Sequence, residues 1–318
     1  MIIDDAYERE AWEQYELWLH AERQPGLIAR AGARARAVGR EALGRWEDTR
    51  AAAWAAQLAE AGASLKEQQA AQKAFQATME ALQGSYHAAV DLSLDAVRTS
   101  SVTKHYTDHL GEEAGLEGLK DLPLKVLDAE RPNLRRSRTR RLTGVNGLSG
   151  AAAGMQMGGP TFAAVIAFDV ASTIGLSVEA IGIQLAHYGY DVTTPDEHAY
   201  VMTLLQESVT SGATSKAILA QQARSLAVNL AKNKAWVELN KNLLTQIARQ
   251  GFTLVGERLI KRKLATVLPG ISAVVGVGQG YNLGRDLTDV AHYEGRARLL
   301  RDRWGDDRDV IDVELLGT

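Results

Sequence analysis

The chain has no cysteine among its 318 residues. It therefore cannot form a disulfide, a thiolate zinc site, an iron–sulfur cluster or a cysteine nucleophile. It also has only six prolines, and the stretches between them are rich in Ala, Leu, Glu, Gln and Arg, which favour helices. The sequence predicts an all-α protein, built as a multi-helix bundle.

The net charge is also small, since the chain has 36 Lys and Arg residues and 39 Asp and Glu residues. The resulting formal charge of −3 gives no general attraction to nucleic acid or to an anionic membrane, so any such attraction must come from local clusters. The first ten residues, MIIDDAYERE, lack the basic and apolar regions of a signal peptide. We expect a cytoplasmic protein.

Motifs that carry catalysis or bind cofactors are missing or incomplete. The phosphate loop GxxxxGK[ST] and the nucleophile elbow GxSxG do not occur. Ser101 and Lys104 match the Ser-x-x-Lys pattern of serine acyl enzymes without its companion motifs, and His105 and His109 have metal-ligand spacing without a third ligand nearby. The sequence predicts no catalytic residue, no metal site and no cofactor.

Several helices follow from periodicity and capping signals. Apolar residues at i, i+4, i+7 and i+8 predict an amphipathic first helix that buries Ala11, Tyr15, Trp18 and Leu19. Further helices are predicted over residues 27–46, from the capping box at 64–67 to Gly84, and through residues 86–97. Thr194, Pro195 and Glu197 mark another helix start. We expect an N-terminal helical layer (1–130) and a helical core with an acidic tail (131–318) as one structural unit.

Basic residues are sorted along the chain. Six arginines lie within residues 131–141, and no Lys or Arg follows until Lys216. Because each basic residue near anionic lipid gains about 1 kcal/mol, this run and the one before Leu264 predict contacts with anionic lipid or an acidic partner. The predicted residues are Arg135, Arg136, Arg138, Arg140, Arg141, Lys261, Arg262 and Lys263. The alternative is that both runs form solvated or ion-paired helix faces.

Residues 216–263 hold ten basic residues and two acidic ones. Such a tract could neutralise phosphates, but its aromatic residues are only Trp236 and Phe252, and it contains no zinc-finger or RNP pattern. Nucleic acid is therefore not an expected partner.

Glycines recur every four residues in two places, and this spacing puts them on one face of a helix. Because glycine weakens a helix by about 1 kcal/mol relative to alanine, the repeats predict glycine-zippered, closely packed core helices. These glycines are Gly150, Gly154, Gly158, Gly276, Gly280 and Gly284.

Two stretches are uncharged, residues 142–168 and 264–284. Each is long enough to span a bilayer, which takes about 20 helical residues. The first is interrupted by Pro160, and the more apolar stretch 161–189 contains Asp169 and Glu179. Acidic residues at a bilayer centre are costly, so these segments predict a buried helical core. A soluble protein that docks on a membrane or inserts conditionally is the alternative.

A family resemblance emerges from motifs spread over most of the chain. They include AHYGYD at 186–191, TPDE at 194–197, LPGIS at 268–272, GVGQGYN at 276–282 and DVAHYE at 289–294. In order and spacing these pieces resemble the EcsC family of bacterial proteins. The resemblance implies an accessory role at a membrane, since the family is named after a protein encoded beside the two components of an ABC transporter. It implies no catalytic residues.

Three functional hypotheses remain. The preferred one is a non-enzymatic accessory or effector protein on the inner membrane surface, with an anionic membrane or membrane protein as partner. The second is a hydrolase-like enzyme with a site around Asp169, His187, Asp191 and His292, because ionisable groups in apolar helices are often functional. The third is a cytoplasmic scaffold whose N-terminal tryptophans form an open apolar patch.

Overall fold

The computed structural model describes residues 5–22, 65–110, 115–145, 160–210, 213–232, 237, 240–267 and 279–304. Over these residues the chain forms helices and turns and contains no strand, which confirms the all-α prediction. A π-helical turn spans His87–Asp91 and a 3₁₀ helix spans Leu116–Asp121. The α-helices are α1 (Asp5–Glu22), α2 (Leu65–Gln83), α3 (Leu92–Asp95), α4 (Thr99–His105), α5 (Thr107–Leu110), α6 (Leu124–Asp128), α7 (Arg131–Val145), α8 (Pro160–His187), α9 (Pro195–Val209), α10 (Ala213–Lys232), α11 (Lys241–Val267) and α12 (Gln279–Trp304).

Helix α8 is the central helix of the bundle. It packs against α2, α7, α9, α11 and α12. Its 28 residues include no Lys or Arg, and apolar residues occupy most of its faces. A helix that is apolar on most faces has to be surrounded by other helices, and side chains such as Phe162, Ile166 and Ile174 are fully buried.

The N-terminal helices share the core of the rest of the chain. Helix α1 packs on α10 and α12, while α2 packs on α8 and α11. One continuous cluster of buried apolar side chains contains Leu82 of α2, Ile174 of α8 and Leu259 of α11. The predicted stripe of α1 is confirmed at Ala11, Tyr15 and Leu19, which are buried, while Trp18 is partly buried. The boundary at residue 130 stays a prediction.

Close packing between helices depends on glycines that lie outside the predicted four-residue repeats. A Cβ on Gly175 of α8 would lie 3.2 Å from the carbonyl oxygen of Ala89 in the π-helical turn. A Cβ on Gly251 of α11 would lie 3.2 Å from the Cβ of Met202 in α9. Side chains at these positions would push neighbouring backbones apart.

The predicted zipper glycines are only partly within the described residues. Gly280 and Gly284 lie in α12, where Gly284 is buried. The zipper stays a prediction, because the other four lie outside the described residues: Gly150, Gly154, Gly158 and Gly276.

Gly189 ends α8 with a φ of +84°. Its amide donates to Ala186 at 3.0 Å, and the Tyr190 amide donates to Leu185 at 3.2 Å, which is the hydrogen-bond pattern of a Schellman cap. A Cβ at position 189 would also lie 2.9 Å from the carbonyl oxygen of Leu116. Both the backbone conformation and the packing therefore require glycine here.

Helix α9 begins at Pro195, as predicted, but its expected capping box does not form. The Thr194 side chain makes no cap bond to the helix, and its hydroxyl donates to the Asp191 carbonyl at 3.2 Å. Glu197 instead binds Arg298 of α12. A buried arginine needs a carboxylate, so a tertiary ion pair replaces the local cap.

The helix predicted through residues 86–97 is interrupted. The π-helical turn His87–Asp91 precedes the short helix α3, and α4 begins at Thr99. The wider π turn lies against α8 where Gly175 leaves room for Ala89. The tract predicted over residues 27–46 lies outside the described residues.

Candidate functional site

Helix α7 carries the arginine run and links α8 to α12. Its first turns bind α12, since Arg131 and Arg135 each lie 3.2 Å from the carboxylate of Asp289. The Arg131 guanidinium also lies over the ring of Tyr293, 5.0 Å from its centroid. These two arginines thus fix α7 against the rest of the bundle.

Two further arginines of α7 share one carboxylate of α8. Arg138 and Arg141 lie 3.0 and 2.7 Å from the same oxygen of Glu179. Burial lowers the pKa of Arg138, although Glu179 acts against this shift. The Nε atom of Arg138 is buried and makes no hydrogen bond to the described residues. One carboxylate against two guanidiniums leaves this group with a net positive charge.

These arginines line a cleft of about 760 Å³ between α4, α7 and α8. Pockets that bind small molecules have volumes of roughly 300–1,000 Å³ and combine apolar walls with a few polar groups. The described lining fits that description. It consists of Asp95, Ala96, Arg98, Ser101, Val102, His105, Glu130, Leu134, Arg138, Arg141, Glu179, Ile183 and His187.

Two histidines of the cleft have side-chain partners. His105 Nε2 lies 3.0 Å from Glu130, and His187 Nδ1 lies 2.8 Å from the hydroxyl of Tyr106. Burial lowers the pKa of His187 to about 4, and nearby His105 acts in the same direction. His187 is therefore uncharged at neutral pH.

A groove of about 640 Å³ meets the cleft at Glu179 and follows α8 toward its N-terminal half. Small side chains form most of its described walls, among them Ala81, Ser85, Ala88, Ala89, Ser93, Ala164, Ala167, Ala171, Ser172 and Gly175. Phe168 also lines it and is 67% exposed.

Within the described residues, Thr161–His187 is the one helical stretch long and apolar enough to cross a membrane, and 67% of its most apolar window is buried. A core helix has the same properties, so this is weak evidence for a span.

The two lysines near the end of α11 lie beside carboxylates. Lys261 lies 2.6 Å from Glu257, one turn earlier. Lys263 lies 2.7 Å from Asp169 of α8, which is 1% exposed. The acidic residue in the apolar helix is thus matched by a cation from a neighbouring helix.

The remaining predicted cations differ in their surroundings. Arg136 is exposed and has no ion pair within the described part of the chain, while Arg141 is 57% exposed. The side chains of Arg140 and Arg262 lie outside the described residues. Lipid contact by the arginines and lysines of both runs stays a prediction.

The structure does not bring the predicted hydrolase residues together. Asp169 and His187 lie on one helix, eighteen residues apart, and at 1.5 Å per residue this separates them by about 27 Å. Asp191 is exposed and closes the turn before α9 through hydrogen bonds to the residue two positions later. His292 is buried beside Tyr188. Only His187 lines the cleft.

His105 and His109, which have metal-like spacing, fall in separate helices, α4 and α5. Among the described residues, no group of three His, Asp or Glu side chains is arranged to hold a metal ion.

Residues 42–300 match the sequence model of the EcsC protein family, which covers more than half of the chain. The chain belongs to the EcsC family. This match confirms the resemblance drawn from the motifs. Neither the curated proteins nor the solved structures contain a match to this EcsC protein.

Two of the motifs that carried the EcsC resemblance meet in a buried polar network. The Tyr188 hydroxyl donates to Asp128 at 2.9 Å and lies 2.7 Å from Nδ1 of His292. Since the hydroxyl proton goes to Asp128, the arrangement assigns the ring proton of His292 to Nδ1. Arg296 lies 3.3 Å from Asp128. The sequence did not indicate Asp128 and Arg296, because they lie 168 positions apart and leave no local pattern.

The cleft residues of α4 were seen in the sequence only as incomplete motifs. Ser101 belonged to a Ser-x-x-Lys match and His105 to a histidine pair, and neither pattern indicated Glu130, which lies 25 positions beyond His105.

The tryptophans of α1 do not form an open patch. Trp18 stacks on Tyr293 with ring centroids 4.8 Å apart, and Trp12 packs 5.7 Å from Trp304. Trp46 and Trp54 lie outside the described residues.

Proposed function

We propose that this EcsC protein is a non-enzymatic accessory protein that lies on an anionic membrane surface. The groove face of α8 meets the lipid, and the exposed arginines of α7 meet the head groups. The observation that carries the proposal is Phe168, which is 67% exposed on a helix whose other large apolar side chains are buried or partly buried. Apolar surface beside cationic side chains is the combination that binds membrane interfaces.

The apolar surface extends beyond one side chain. Ser93 also lines the groove, and the preceding residue Leu92 is 53% exposed. Full burial of a side chain such as Phe or Leu gains roughly 1.5–3 kcal/mol. Two such side chains, which are already partly buried, supply a weak and reversible anchor.

Charge complementarity favours an anionic membrane as the occupant of this surface. Glu179, where the cleft and groove meet, is eleven residues from Phe168, which is about 16 Å along the helix. Arg98 and Arg141 are exposed cations that line the cleft there, and Arg136 is exposed elsewhere on α7. Each adds about 1 kcal/mol near anionic lipid. Arg141 also lies beside a carboxylate, that of Glu179, but it is 57% exposed. Arg135, Arg138, Lys261 and Lys263 lie beside carboxylates and are less exposed, so the geometry favours the exposed arginines for lipid contact.

Vesicle co-sedimentation tests the proposal. The native chain is mixed with phosphatidylglycerol or phosphatidylcholine vesicles at low and high salt. We expect binding to phosphatidylglycerol only, weakened by salt, by Phe168→Ser and by Arg136→Ser. Ile218→Ser, at another exposed apolar residue, and Lys241→Ser, at another exposed cation, are matched controls that should bind normally. The proposal is refuted if the native chain binds neither lipid, or if the control variants lose as much binding as Phe168→Ser and Arg136→Ser.

A further inference from the structure

The cleft between α4, α7 and α8 contains more cationic hydrogen-bond donors than its carboxylates satisfy. Arg138 and Arg141 share Glu179, and Arg98 on the opposite wall has no ion pair within the described part of the chain. We propose that this cleft binds a phosphate group, which Arg138 and Arg141 contact from α7 and Arg98 and Ser101 contact from the α4 side. The proposal does not rest on membrane docking, since a soluble phosphate ester would fit the same donors.

The unpaired donor on Arg138 is the most specific evidence. Its Nε atom is buried without a hydrogen-bond partner among the described residues. Such a buried donor destabilises a protein unless something accepts its hydrogen bond. Guanidinium groups bind phosphate through two parallel N–H bonds. A phosphate oxygen is therefore a suitable acceptor once the Arg138 side chain turns its buried Nε atom toward the cleft.

The acidic residues of the cleft do not prevent anion binding. Glu130 is engaged by His105 at 3.0 Å and by the Asn133 amide at 3.3 Å. Glu179 is shared between two arginines. Asp95 is exposed, and its charge also acts on His198, which is not among the cleft residues. His187 is uncharged, so it does not repel an anion.

Apolar side chains indicate that the ligand has an organic part. Val102, Leu134 and Ile183 line the same cleft as the arginines. A volume of about 760 Å³ holds more than a bare phosphate ion. The shared chemistry is a phosphate ester, and its source is either a lipid head group or a soluble metabolite.

Isothermal titration calorimetry on the full chain, without membranes, tests the site. The probes are glycerol 3-phosphate, a water-soluble short-chain phosphatidic acid, and glycerol as the uncharged control. We expect heat from one or both phosphate esters and none from glycerol. Tighter binding of the phosphatidic acid identifies a lipid head group, and equal binding identifies a soluble ester. Because no vesicle is present, this result is independent of membrane docking.

Variants in and beside the cleft test the named contacts. Arg138→Gln and Arg141→Gln should each weaken binding by about tenfold or more, because each removes a charge-assisted hydrogen bond. Lys104→Gln, at an exposed lysine of α4 that does not line the cleft, should keep the native affinity. Glu179→Gln should bind more tightly, because it removes the competing carboxylate. No heat with either ester, equal weakening by Lys104→Gln, or weaker binding by a folded Glu179→Gln would overturn the proposal.

Discussion

The guanidinium of Arg298 and the carboxylate of Glu197 form a buried bidentate ion pair with two N–O distances of 2.7 Å. This pair joins α12 to the first turn of α9. The guanidinium also lies over the rings of Tyr190 and Tyr200, 3.9 and 4.7 Å from their centroids. Burial acts to lower the pKa of Arg298, but Glu197 outweighs this effect and the pKa is raised. The arginine therefore stays charged inside the protein.

Arg298→Met should lower the free energy of unfolding by about 3–5 kcal/mol, because it leaves the Glu197 carboxylate buried without its cation. The double variant Arg298→Met/Glu197→Leu should recover much of this loss, since both charges are then absent. Urea unfolding measures both effects. Arg285→Met, which removes an exposed ion pair with Asp289, should change stability by less than about 1 kcal/mol. Equal losses in the single and double variants would contradict the expected coupling.

Gly189→Ala should destabilise the protein by about 1–3 kcal/mol. The φ of +84° is strained for alanine, and the added Cβ would lie 2.9 Å from the Leu116 carbonyl oxygen. Thermal or urea unfolding measures the effect. Gly115→Ala is the control, since its φ is −78° and no heavy atom lies within 4 Å of the added Cβ. If the two substitutions lower stability equally, the cap has no special conformational requirement.

Stability should fall below neutral pH because His187 is buried in its uncharged form. Its folded pKa of about 4 lies below the ordinary histidine pKa of 6.5, so between these values the unfolded chain binds a proton that the folded chain does not. The stability due to this difference is present above about pH 6.5 and is lost as the pH falls toward 4. At pH 5 this group alone should lower the free energy of unfolding by about 2 kcal/mol.

The variant His187→Gln isolates that contribution. Tyr106, His105, Glu130 and Arg138 surround the group, and they remain in the variant. Urea unfolding at pH 8 and pH 5 should show a smaller difference for the variant than for the native chain. His109→Gln, at an exposed histidine, should keep the native difference. An unchanged difference in His187→Gln would mean that His187 does not control the acid sensitivity.

The sequence predicted those parts of the fold that depend on local rules. The all-α class and the buried stripe of Ala11, Tyr15 and Leu19 follow from composition and helical period. The start of α9 at Pro195 follows from backbone preference. The interruption at His87–Asp91 was missed, because a π turn that accommodates close packing on Gly175 has no sequence period of its own.

The candidate site depends on contacts that no local rule contains. The sequence by itself determined that the arginines of residues 131–141 precede an uncharged stretch at 142–168, and that the chain has the EcsC motifs. Only the tertiary structure decided that Arg138 and Arg141 meet Glu179, 41 and 38 positions later, and that Ser101 and His105 lie across the same cleft. The physical reason is that the rotation and crossing of helices are set by the packing of all the core side chains together. Charge pairing between helices follows from that packing.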